Sequence, residues 1–284
     1  MMRLPKVMIA ASAAMIMLPC LSSAQNRKVS DEFEFINYLI GNELPGEAVT
    51  FLSQDIFQPS DSLDYLRGWA DYNAKKLEEA SIQFDKVGSE SAFYDKSLFF
   101  NVISNAHLGK YDKCQSLLDS YSGPYKELHS VEQAGIALLK GSPEDYLKAS
   151  SGFTYSKFAL TESEEKLRDI YNDRYHTKGK DPLIAAAASA VVPGLGKVYA
   201  GELGEGISSF LVVGSMAAIT AENWSKHGFT NWKTLLFGTL TAAFYIGNIY
   251  GSYVTVSIHN NDIKNAQDTA ILYHIHIPLR SSFN

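Results

Sequence analysis

Only two cysteines, Cys20 and Cys114, occur in the 284 residues, too few for a disulfide framework. Positive charge is also scarce: 25 Lys and Arg face 31 Asp and Glu, a net of −6. No basic stripe exists that could follow a phosphate backbone, so nucleic acid is excluded as a partner. No Ser/His/Asp or Cys/His set stands out, so no catalytic residue is assigned, no cofactor is implied, and an enzyme is the weakest class of function. Phosphate-binding loops fail residue by residue. Gly196-Lys197 is followed by Val198, not Ser or Thr, and Val191 stands where a nucleotide loop needs its first glycine. Tyr199 occupies the third small position of a dinucleotide fingerprint.

What is present is a polarity gradient. Residues 25–181 carry 26 acidic and 18 basic side chains, whereas 182–284 carry five of each. Ahead of both, Arg3 and Lys6 precede an apolar run from Val7 to Cys20 that ends in Ser22-Ser23-Ala24. This pattern predicts a secretory signal peptide over 1–24, cleaved after Ala24, which leaves Cys114 as the single thiol. The rival is a lipoprotein signal acylated at Cys20, against which Pro19 stands where a small residue is expected.

Between Asp61 and Tyr121 the chain repeats. Gly68, Ala80 and Phe84 recur 34 residues later as Val102, Cys114 and Leu118, while Ala48 and Leu52 precede Ala80 and Phe84 by 32. Gly141 and Pro143 open a further turn and helix. A small residue in one helix, an alanine in the next and a larger apolar residue one turn on let paired helices approach closely. Residues 31–151 thereby resemble the tetratricopeptide-repeat family, with Gly68, Tyr72, Ala80, Phe84, Cys114 and Leu118 at the packing positions. Tyr72 falls one place late for the family's tyrosine, and Val102 replaces a small residue. A plain bundle of amphipathic helices is the alternative. Both are all-α, and repeats present binding surfaces more readily than catalytic sites.

After a helical linker over 152–181 the character changes. Pro182–Gly196, Gly206–Ala221 and Thr234–Asn261 carry no charge, and the last is longer than the ~20 residues a span needs. Trp224 and Trp232 flank the connection between the second and third stretches, where indoles favour the headgroup region. Thr239, Ala243, Gly247, Gly251 and Thr255 fall every fourth residue, a small-residue face for which Gly214 and Ala218 offer a counterpart. A membrane-embedded helical hairpin over 182–261 is expected, with a buried soluble helix pair as the alternative. Pro193 is expected to end an apolar helix, with the glycines after it turning the chain.

The element Pro193, Gly194, Gly196, Tyr199, Gly201, with Gly247, Asn248, Tyr250 and Gly251 later, resembles uncharacterised bacterial membrane domains, some with two transmembrane helices, that share Pro-Gly-x-Gly-x-x-Tyr-x-Gly. Lys197 departs from the Gln often found there, and the resemblance attaches no catalytic role to these positions.

Asn248, with Tyr245 and Ser252 a turn away, reads as glue between helices or as a polar site within the membrane. The alternation of "ILYHIHIPL" predicts a short strand in the tail 262–284, with His274 and His276 on one face; two imidazoles lack a third ligand, and His259 is not evidently near, so no metal is assigned. Glu78-Glu79 and Glu164-Glu165 read as solvated helix faces. The expectation is an all-α, membrane-tethered scaffold in the bacterial inner membrane. Its repeat domain lies on the periplasmic side and binds another envelope protein, with homo-oligomers allowed. Against that topology, Lys166, Arg168, Arg174, Lys178 and Lys180 precede the hairpin, where positive charge favours the cytoplasm. The competing function is a small oligomeric transport or channel-like module in which Asn248 and nearby tyrosines line a path.

Overall fold

The computed structural model describes residues 32–283, so the expected signal peptide, with Cys20 and Ala24, lies outside the described residues. Among these the regular elements are helices throughout. The chain divides into two units, one running to Leu167 and resuming at Leu272, the other Arg168–Ile271.

The first unit holds α1 (Phe33–Gly41), α2 (Pro45–Leu52), α3 (Asp61–Asn73), α4 (Leu77–Phe84), α5 (Tyr94–His107), α6 (Tyr111–Asp119), α7 (Lys126–Lys140) and α8 (Pro143–Ser150). It also takes the start of α9 (Phe158–His176) and the end of α13 (Trp232–Phe283). The starts are written locally. Ser60 accepts from the Leu63 amide and Ser142 from that of Asp145, while Pro143 and Pro45 open helices where a missing N–H costs nothing.

The stops repeat. Glu43, Lys75, Gly109 and Gly141 take left-handed φ of 61°, 63°, 71° and 80°. In each case the next N–H bonds the carbonyl five residues back: Leu44 to Leu39, Lys76 to Asp71, Lys110 to Asn105, Ser142 to Ala137. One left-handed helix cap therefore recurs at intervals of 32, 34 and 32 residues, and it folds each helix onto the next. The core between them is fully buried at Ile36, Leu52, Leu66, Phe99, Leu118 and Ile136.

The tail is not a strand. Residues 262–283 continue α13. The apolar residues of "ILYHIHIPL" also fit a helix: Ile271, Ile275, Leu279 and then Phe283 fall every fourth position, and all four are buried, whereas Tyr273 and Ile277 are exposed. Alternation arose because apolar side chains stand on both sides of this helix. His274 and His276, two positions apart on a helix, do not share a face.

The second unit contains the rest of α9, then α10 (Pro182–Val191), α11 (Leu195–Ala200), α12 (Leu203–His227) and α13 up to Ile271. Asp181 caps α10 through the Leu183 amide at 2.8 Å, with Pro182 in the first turn. Val191 is the last residue of α10, two before Pro193, as a proline demands. Among the described residues α12 alone is long and apolar enough to cross a membrane. The stretch 234–261, expected to span by itself, falls short because Asn248, three tyrosines and His259 dilute it.

Candidate functional site

The glycine-rich element of the second unit closes around α13. The Asn248 side-chain oxygen accepts the Gly194 amide at 3.0 Å, and its amide donates to the Ser189 carbonyl at 3.4 Å. The Ser189 hydroxyl accepts the Gly196 N–H at 2.8 Å and lies 2.7 Å from the Ser252 hydroxyl. The Tyr245 hydroxyl donates to the Ala190 carbonyl at 2.5 Å. The Gly194 amide and the Ser189 and Ala190 carbonyls at the end of α10 are thus satisfied by α13 side chains, and the Gly196 amide by Ser189 of α10 itself, which is how a buried loop remains tolerable.

The glycines are there for proximity. A Cβ on Gly194, whose φ is 87°, would lie 2.0 Å from the Gly206 carbonyl oxygen; one on Gly196 would lie 2.0 Å from that of Ala185. Both obstacles are backbone and cannot yield. Gly201, at φ 110°, ends α11 with the left-handed cap that also ends α1, α3, α5 and α7, and the Lys180 ammonium bonds the Ala200 carbonyl at 2.6 Å. The Tyr199 hydroxyl accepts from the Asp181 amide at 3.1 Å. Ala185, Ala200 and Val256 form the buried apolar centre of this arrangement.

The small-residue ladder behaves differently from expectation. A Cβ on Gly247 or Gly214 would meet nothing within 4 Å, and one on Gly251 would touch the Lys197 stem at 3.7 Å. Ala243 and Gly247 instead line an open cavity of about 490 Å³ with Val212, Val213, Ser209 and Lys197, whose ammonium lies 3.2 Å from Glu205. The α12–α13 contact lies near their connection, where the Thr220 and Thr241 hydroxyls are 2.9 Å apart. Asn248 and Ser252 draw α13 to the loop after α10 by polar bonds, so the close approach occurs there and not along the ladder.

In the first unit, Gly68 lies against Phe84. A Cβ on Gly68 would lie 2.6 Å from the Phe84 ring; Ala80, Cys114 and Leu118 are fully buried. The Cys114 thiol donates to the Val102 carbonyl at 3.3 Å, and burial pushes it up to about 12, so it is an inert packing group.

Across α3, α5 and the start of α7 lies the end of α13. His276 Nε2 is 2.9 Å from the Tyr72 hydroxyl, and the Phe283 ring packs on Phe99 at 5.8 Å and Tyr125 at 4.9 Å. Burial first, then Arg280, His107 and Lys75, pushes the His276 imidazole down to about 4, so it is neutral and can accept the Tyr72 O–H. His274, lowered chiefly by burial, faces Glu162 and Lys166 of α9.

Several working residues were not anticipated. Ser189 had a signal, being the one polar side chain in its apolar run, and Gly206 belongs to the same glycine-rich stretch. Glu164, read as solvated, is buried and accepts the Thr154 and Tyr155 amides at 3.1 and 2.8 Å, because the loop before α9 needs an acceptor there. Glu78 does face solvent, paired with Lys110 at 2.5 Å. Comparison with protein-family models, curated proteins and solved structures finds no match to this chain, so what it does is argued from its own residues.

Proposed function

We propose that this protein is a membrane-tethered scaffold of the bacterial envelope, whose tetratricopeptide-like repeats bind another envelope protein from the periplasmic side of the inner membrane. The observation that carries the reading is α12, which exposes Ile207, Phe210, Leu211, Val212 and Ile219 along 25 residues. So much contiguous apolar surface favours lipid over water. The apolar half of α13, with exposed Leu236, Leu240, Phe244 and Ile246, accompanies it as the second arm of the hairpin. The 32- and 34-residue spacing of helix caps and the Gly68–Phe84 contact support the repeat assignment. Scaffolding is favoured over transport because Asn248, the polar group a path would need, spends its amide on Gly194 and Ser189.

The test is alkaline carbonate extraction of cell membranes, followed in intact cells by a photo-crosslinker at Ile82, which is half exposed on α4. The protein is expected to stay in the pellet and to give one discrete crosslinked species. Release by carbonate would remove the tether, and a crosslink only to itself would favour the oligomeric module.

A further inference from the structure

We infer that residues 272–283 are a resident ligand of the repeat groove, an internal competitor for an amphipathic helix of a partner protein with apolar side chains at every fourth position. The inference deepens the scaffold reading and rests on it.

The segment has the form of a bound peptide. Ile275 and Leu279 are fully buried and Phe283 nearly so, while Tyr273 and Ile277 on the other side are exposed. Contact is made on the first helix of successive pairs, with Tyr72 on α3, Phe99 on α5 and Tyr125 at the start of α7. That is the helix-in-groove mode of recognition, read as anchors at i, i+4 and i+8. α5 is buried from Ser97 to Ala106; neighbouring helices take Phe100, Asn101, Val102 and Asn105, and the segment takes Phe99. The groove is filled by the chain that owns it, so a partner helix must resemble the occupant to replace it.

The occupant is also built to leave. Pro278 lies inside its helix, where it has no N–H to give to the His274 carbonyl. A tethered ligand competes at high effective concentration, so a partner's apparent affinity falls by the fraction of grooves that are vacant. Weakening the segment should therefore raise affinity for a helix without altering the groove.

The probe is a fluorescent peptide of residues 272–283, titrated by anisotropy against the full chain in mild detergent. Leu279→Asp puts a charge at a fully buried anchor; Ile277→Asp puts the same charge on the exposed side. The first should bind the peptide about tenfold or more tighter than wild type, and the second should match wild type. His276→Ala removes only the Tyr72 contact and should give a smaller gain of about threefold. It serves if Leu279→Asp loses its thermal transition. Wild type binding as tightly as folded Leu279→Asp, or no gain in any folded variant, overturns the inference. A dimer exchanging the segment between copies overturns it too. The scaffold reading fails separately, by carbonate release or absence of a crosslink at Ile82.

Discussion

Glu132 of α7 is fully buried, and neither carboxylate oxygen has a hydrogen-bond partner among the described residues. Burial alone raises its pKa well above the usual carboxylate value. A raised folded pKa means that the native state holds a proton which the unfolded chain has already lost. Its contribution to stability is complete below about pH 4.5 and is lost as pH rises toward the folded value. Glu132→Gln keeps the shape and removes the titration. The variant should match wild type near pH 4.5 and exceed it at pH 8, the gap growing by at most about 1.4 kcal/mol per pH unit. Urea midpoints at both pH values measure this, and equal midpoints at pH 8 would show that the carboxylate has found a partner. Nothing in "KELHSVEQAGIALLK" announces this position. Its burial comes from neighbouring helices, which a sequence pattern cannot see.

At the scale of elements, the turns carry most of what could be read in advance. The 34-residue offset between Gly68, Ala80, Phe84 and their later counterparts reappears as backbone caps, because a cap needs only local residues. Two caps hold the wrong residue for their geometry, with Glu43 and Lys75 at positive φ where glycine is comfortable. Lys75→Gly should stabilise the chain by about 0.5–1 kcal/mol, strain relief exceeding the entropy lost, whereas Gly109→Ala should cost about 1–2 kcal/mol. Thermal melts of the two variants should move in opposite directions; movement in the same direction would detach the cap from the helix turn.

The glycine-rich element was legible as a turn but not as a clasp. Its partners Asn248 and Ser252 lie more than fifty residues away, and no local rule pairs them with Gly194 and Ser189. Counting small residues on one helix face picked out Gly247, which borders open space, whereas Gly196, read only as part of a turn, is the glycine held against the Ala185 carbonyl. Substitution separates them. Gly196→Ala should cost about 1–3 kcal/mol through forced backbone movement, and Gly247→Ala should stay within about 0.5 kcal/mol of wild type or gain slightly. The misread strand has the same origin: a helix with apolar residues on two faces imitates period two over nine residues, and only burial shows which face is the core.

At the scale of the whole molecule, the first unit is discontinuous in sequence, closing with residues from Leu272 onward after the entire second unit. A ribosome delivers the groove well before its filling. Until residues 272–283 have been synthesised, Phe99 on α5 lacks the cover of Phe283, so a nascent chain exposes an apolar trough there. A protease or chaperone that recognises that trough would distinguish chains in which residues 272–283 have docked from chains in which they have not, without any dedicated signal.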